Sequence, residues 1–225
     1  MTHFTSELQL QTLFELNSAG RILGTRESNP ASGPLFMLIR SHTDCAWAVH
    51  IDVPTHVADE LHALAQTEPP ALDLTDAPVH AARYQALAGG RIDGGPVFTI
   101  PSHIALADDT VIVTELSQVE KYFRGWTASE ISECSPIVAV CESGHAVSVC
   151  FCARRSDVAA EAGLETAMPF RGRGFGGRVT AAWARAIHAS GRLPIYSTSW
   201  SNTSSRAVAR KLGLASCASD WSLVR

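Results

Sequence analysis

Apolar residues recur at three- and four-residue spacing in some stretches of this chain and at every second residue in others, a change of period that separates helices from strands. Leu10, Leu13 and Phe14 predict a helix over residues 5–16, stopped at 17–20. A polar loop, 24–33, leads into two short apolar runs, 35–40 and 45–51, joined by Ser41-His42-Thr43-Asp44 in a hairpin pattern. Pro54 opens a helix in which Val57, Leu61 and Leu64 line one face and Glu68-Pro69-Pro70 ends it. Another helix is expected over 77–87, before Gly89-Gly90.

From residue 95 onward the order of elements changes. Residues 111–113 read as a strand, and 116–122 and 128–134 as short helices. Residues 136–141 and 146–153 form a second hairpin, in which the alternation of Val147, Val149 and Phe151 buries one face. A strand over 160–166 then runs into a glycine-rich turn, and Val179, Trp183 and Ile187 at four-residue spacing announce a helix.

That turn is where chemistry is expected. Gly172, Gly174, Gly176 and Gly177 strip side chains from the start of the helix, whose first N–H groups have no internal partners and lie at the positive end of its dipole. Arg171, Arg173 and Arg178 add full charges beside them, so the stretch reads as a phosphate or pyrophosphate cradle. Gly172, Gly174 and Gly177 satisfy the dinucleotide pattern G-x-G-x-x-G, but such a site also wants an acidic residue about twenty positions on. The corresponding segment, Ile195-Tyr196-Ser197-Thr198-Ser199, has no carboxylate, so a nicotinamide-linked oxidoreductase rests on the glycines alone.

Composition narrows the classes. With 225 residues and 46% hydrophobic content the chain can bury a sizeable core, and no segment stays apolar long enough to span a bilayer. The opening residues lack the basic flank and apolar run of a secretory signal, so a cytoplasmic protein is expected, with no membrane partner. A net charge of −4 argues against nucleic-acid binding and suits a small anion held by a local arginine cluster. The six cysteines form no Cys-x-x-Cys pair, and Cys150 and Cys152 fall on one strand face, so buried thiols rather than a metal site are expected. The histidines are scattered, and no metal is assigned.

The pattern Arg171-x-x-Gly174-x-Gly176 between a strand and a long helix resembles the acyl-CoA site of the GNAT superfamily of N-acetyltransferases. Residues 193–198, Asn202-Thr-Ser-Ser205 and Leu212-Gly213 follow at the family's distances, and Leu164-Glu-Thr-Ala-Met-Pro-Phe170 precedes the loop. The resemblance spans residues 101–225. It implies an α/β protein with a mixed, splayed β-sheet flanked by helices, in which residues 96–225 form the acetyltransferase domain. Residues 1–95 are then an added α/β region that helps form the acceptor pocket. Acetyl-CoA would be the acyl donor, its pantetheine arm pairing beside the strand over 160–166. Contacts are implied from Leu164, Thr166 and Ala167 on the strand, and from Arg171, Gly172, Arg173, Gly174, Phe175, Gly176 and Gly177 in the loop. Asn202 and Ser205 would contact the donor on the far side, and equally form a helix N-cap.

Acyl transfer to an amine needs a base, because an alkyl ammonium with pKa about 10.4 is protonated at neutral pH. Glu165 is the first choice; Glu161 faces the same side by strand period unless a bulge intervenes, and either is also readable as a solvated or salt-bridged strand carboxylate, Glu161 the more so. Backbone N–H groups near Thr166 and Ala167 would polarise the carbonyl. Many GNAT enzymes carry a tyrosine seven residues after the Asn, to protonate the leaving thiolate; this chain has Ala209, which leaves Tyr196, Ser205 or solvent as the acid. The implied activity is acetylation of a primary amine on a small molecule or protein, by a monomer or homodimer. A non-catalytic acyl-CoA binding or sensing module is the alternative.

Overall fold

The computed structural model describes residues 3–104 and 109–225. Helix α1 (Ser6–Leu13) begins at Thr5, whose hydroxyl accepts the Leu8 N–H. It is shorter than its periodicity predicts because Phe14 turns extended and enters β1 (Phe14–Leu16), paired antiparallel with β2 (Ile22–Thr25). The expected hairpin is β3 (Phe36–Ser41) with β4 (Cys45–Val49). Helix α2 (Thr55–Ala65) follows Pro54, and α3 (Ala81–Ala88) starts later than expected because Ala77 precedes Pro78, a position that disfavours helical backbone.

Strand β5 (Arg91–Thr99) has no apolar alternation in its first half and contains Gly94-Gly95-Pro96, and its periodicity announces no strand. The glycines answer to packing instead. A Cβ on Gly95 would run into the Thr198 carbonyl, and one on Gly94 into the Asp220 carbonyl. Then come β6 (Thr110–Val113), α4 (Ala128–Glu133), β7 (Ile137–Glu142), β8 (His145–Arg155), β9 (Ala159–Thr166), α5 (Phe175–Ala189), β10 (Leu193–Ser197), α6 (Thr203–Lys211) and β11 (Ser216–Val224). Residues 116–122 form only a 3-10 turn, Leu116–Gln118.

Nine strands make one sheet in the order β4-β3-β11-β5-β10-β9-β8-β7-β6, in which β9 and β10 are the parallel pair and the other neighbours run antiparallel. The sheet is therefore mixed and helix-flanked, as expected. Strand β5 crosses the boundary expected at residue 95 and lies between β10 and β11, so residues on both sides of that boundary share one sheet.

Helix α5 buries Val179, Trp183 and Ile187 on one sheet face, against Val138, Val140, Cys150, Cys152 and Tyr196. Cys150 and Cys152 are thus core thiols under this helix. On the opposite face α1 packs Leu10 and Leu13 with Met37, Ile39, Val97 and Ile195, while Ile131 of α4 joins Ile137, Ala139 and Val149. Helices α2 and α3 cover Phe36, Leu38 and Trp221 towards the β4 edge. Among the described residues no helix is long and apolar enough to cross a membrane.

Candidate active site

Strands β9 and β10 run together for a short distance and then part. Their register ends at Ile195 opposite Glu161, although β9 continues to Thr166 and β10 to Ser197. The Ala167 N–H donates to the Val147 carbonyl on the β8 side at 2.9 Å. Main-chain groups alternate along a strand, so those of Thr166, Leu164 and Ala162 face the opened side. This is the splay that the resemblance implies. It also corrects one expectation: the Ala167 N–H is committed to Val147 and is not free to face the opening, towards which the N–H groups of Leu164 and Thr166 alternate.

The parting strands open a cavity of about 730 Å³. Leu164 and Thr166 line its β9 wall, and Arg171, Gly172, Gly174, Phe175, Gly176 and Gly177 its loop and helix end. Tyr196, Asn202 and Ser205 line the far side. The fold thus brings together eleven of the residues expected from sequence. Arg173 is drawn elsewhere, to Glu142 at 3.1 Å and over the Phe170 ring. Arg178, the third arginine of the cluster, pairs with Asp109. Arg171 keeps its charge for the cavity; its Nε donates only to the Thr166 carbonyl, at 3.0 Å.

Gly172 and Gly174 have φ of 80° and 83°, in the left-handed region that a side chain would strain. Gly174 is the N-cap of α5, and no side chain caps that end. Phe175, Gly176 and Gly177 line the cavity, and among the described residues no side chain caps their N–H groups, which lie at the positive end of the helix dipole. These residues fit a diphosphate. Across the cavity, Asn202 caps α6 by accepting the Ser205 N–H at 3.0 Å, which leaves its amide NH₂ for a ligand. Lys211, Ser197, Thr198 and Ser204 also line the cavity and were not singled out from sequence. Helical spacing could have found two of them, because Ser204, Val208 and Lys211 fall on one face of α6.

Of the candidate proton carriers, Tyr196 lines the cavity and Glu161 and Glu165 do not. Glu165 is exposed on the sheet face away from α5, paired across β8 with Val149, and its carboxylate has no ion-pair partner among the described residues. Loss of hydration among its neighbours raises its pKa above the ordinary carboxylate value. Glu161 is different: it is 2% exposed, accepts from Arg154 at 2.7 Å and from the Ser197 hydroxyl, and lies 3.5 Å from Gln9 Nε2. Arg154 also pairs with Glu27. The Tyr196 hydroxyl is buried against Ser205 Oγ at 2.6 Å, and burial pushes its pKa up to about 12. Ala209 is buried beneath α6 in the same core as Tyr196, and offers no hydroxyl.

Residues 140–222 match the family model described as FR47-like protein. The chain is similar to an acetyltransferase from the GNAT family from Colwellia psychrerythraea, at 13% identity, covering 93% of this chain and 80% of that one with a TM-score of 0.50. It is also similar to a putative acetyltransferase from the GNAT family from Novosphingobium aromaticivorans, at 20% identity and a TM-score of 0.48. That match covers 59% of this chain and 64% of the other, so it spans less than two thirds of that protein. No curated protein matches the sequence.

Proposed function

From the GNAT fold of this chain, we propose that it is an acyl-CoA-dependent N-acetyltransferase that moves an acetyl group from acetyl-CoA to a primary amine of a small molecule or protein. The observation that carries this reading is the conjunction of two openings: β9 and β10 part after Glu161, and the uncapped start of α5 faces the gap. Unpaired strand groups suit an amide-bearing arm, and unpaired helix N–H groups suit a diphosphate. Acetyl-CoA, when bound, supplies the acetyl group as an activated thioester.

In this reading the N–H groups of Phe175, Gly176 and Gly177, with Arg171 and Lys211, hold the anionic end of the donor. Asn202 and Ser205 hold its other side. Glu165 takes the proton from the acceptor ammonium, a role favoured by its exposure and raised pKa. Glu161 is assigned to positioning rather than to proton transfer, since it is buried and ion-paired to Arg154. The Tyr196 hydroxyl is buried against Ser205, so the departing thiolate, a fair leaving group, is assigned its proton from solvent.

Thiol release from acetyl-CoA across a panel of primary amines tests the assignment, with Gly174→Asp as the control. That substitution forces a side chain into a left-handed position and a carboxylate against the helix start, and it should abolish donor binding. Full acetyl-CoA affinity in Gly174→Asp would remove the cradle from the reading. Tight binding of acetyl-CoA without turnover on any amine would favour the alternative, a non-catalytic acyl-CoA sensor, for which Ala209 in place of a proton-donating tyrosine already speaks.

A further inference from the structure

A second cavity, of about 1160 Å³, lies among the β1–β2 hairpin, the β8–β9 turn and the C-terminal end of α5. Arg26 just after β2, Arg155 at the end of β8 and Arg192 just after α5 reach it from three separate segments. We propose that this groove binds a small phosphate-bearing anion, gripped by Arg26, Arg155 and Arg192.

Two of the three guanidinium groups are anchored to the protein through Nε. Arg26 donates from Nε to the Phe14 carbonyl at 2.9 Å, and Arg192 from Nε to Ser190 Oγ at 2.9 Å. Anchoring through Nε fixes the plane of each group and leaves both terminal nitrogens to meet two oxygens of a phosphate. Arg155 is held by the Ser135 carbonyl at 3.3 Å. None of the three forms a salt bridge among the described residues, although two carboxylates, Glu7 and Asp157, line the same groove. Glu7 is instead held by Gln11 Nε2 at 2.7 Å. Three positive and two negative groups leave a single net positive charge. That balance selects against a long polyanion, which would have to pass the carboxylates, and for a compact one that touches only the arginines.

The groove is remote from the donor cavity. The two lie at opposite ends of α5, whose fifteen residues span roughly 22 Å, so one ligand does not fill both. The inference does not depend on the proposed acetyl transfer.

Inorganic pyrophosphate is the probe, titrated by calorimetry into the full chain, into Gly174→Asp, into Arg26→Ala/Arg192→Ala and into the combination of all three substitutions. Binding should persist in Gly174→Asp and weaken at least tenfold when the two alanines are added to that variant, with a loss of affinity as salt is raised. Arg26→Lys/Arg192→Lys keeps the charge but not the fork, and should fall between the two. If the wild-type chain shows no binding, or if binding is lost in Gly174→Asp and kept in the double alanine variant, the site is overturned. Tighter binding of a tetra-aspartate peptide than of pyrophosphate would overturn the ligand class. Circular dichroism confirms that each variant is folded.

Discussion

Ser197 donates its hydroxyl hydrogen to Glu161 across the point where β9 and β10 separate. Glu161 is the last β9 residue registered with β10, and Ser197 ends β10, so a side-chain bond holds the fork where backbone pairing stops. Behind it, Arg154 grips Glu161 and also Glu27, and Gln9 of α1 closes the buried side. The width of the cavity between β9 and β10 thus depends on residues from both halves of the chain.

Ser197→Ala removes one partner from a carboxylate that is almost wholly buried. An unsatisfied buried group of this kind costs roughly 1–3 kcal/mol, and urea denaturation should show a loss in that range. Because Ser197 also lines the cavity, acetyl-CoA should bind more weakly in the same variant. An unchanged midpoint would mean that the fork is held by something else.

Gly95→Ala places a methyl group against the Thr198 carbonyl. Overpacking against backbone costs about 1–3 kcal/mol, and here the element pushed is the Thr198–Ser199 segment that lines the cavity. Thermal unfolding should fall by several degrees, and donor affinity should drop with it. Loss of stability with donor affinity intact would separate the crossing of β5 from the shape of the site.

Asp220 on β11 accepts the Gly95 N–H at 2.6 Å, and lost hydration, followed by the nearby Glu161 charge, pushes its pKa up to about 7. The folded value lies above the unfolded 3.8, so between about pH 4 and pH 7 the native state holds a proton that the unfolded chain has released. Stability should therefore fall as pH rises through that window, by an amount on the order of a few kcal/mol. Asp220→Asn keeps an acceptor oxygen for Gly95 and removes the titration, so its stability profile should be flatter and its advantage greatest above pH 7. Parallel profiles for the two proteins would discount this carboxyl.

Glu165→Gln should lower turnover by about 10²–10⁴ while leaving donor affinity unchanged. As the base must be deprotonated, kcat/KM in the parent should decline as pH falls through the raised Glu165 pKa, and that limb should vanish in the variant. A variant with normal turnover would return the proton to water or to another group.

Much of the site was legible because its chemistry is local. The Gly172–Gly177 turn and the Asn202 cap are each written in a few consecutive residues, and their backbone conformations follow from which residues can adopt them. The strands that did not declare themselves are those whose stability comes from elsewhere. Strand β5 carries Gly94-Gly95-Pro96 because two carbonyls approach it closely, and β11 mixes Ser216, Ser219 and Asp220 with Trp221 and Leu223 because it is covered unevenly along its length. The fate of the arginines was equally hidden: Arg173 and Arg178 look like Arg171 in sequence, but Glu142 and Asp109, far away along the chain, claim them.

The interleaving of β5 between β10 and β11 makes the two halves inseparable by truncation. Expressing 96–225 alone would strip residues 91–95 from the strand and expose hydrogen-bonding edges in the middle of the sheet, an invitation to pair with other chains. An engineer wishing to transplant the cavity between β9 and β10 would have to carry the amino-terminal half with it.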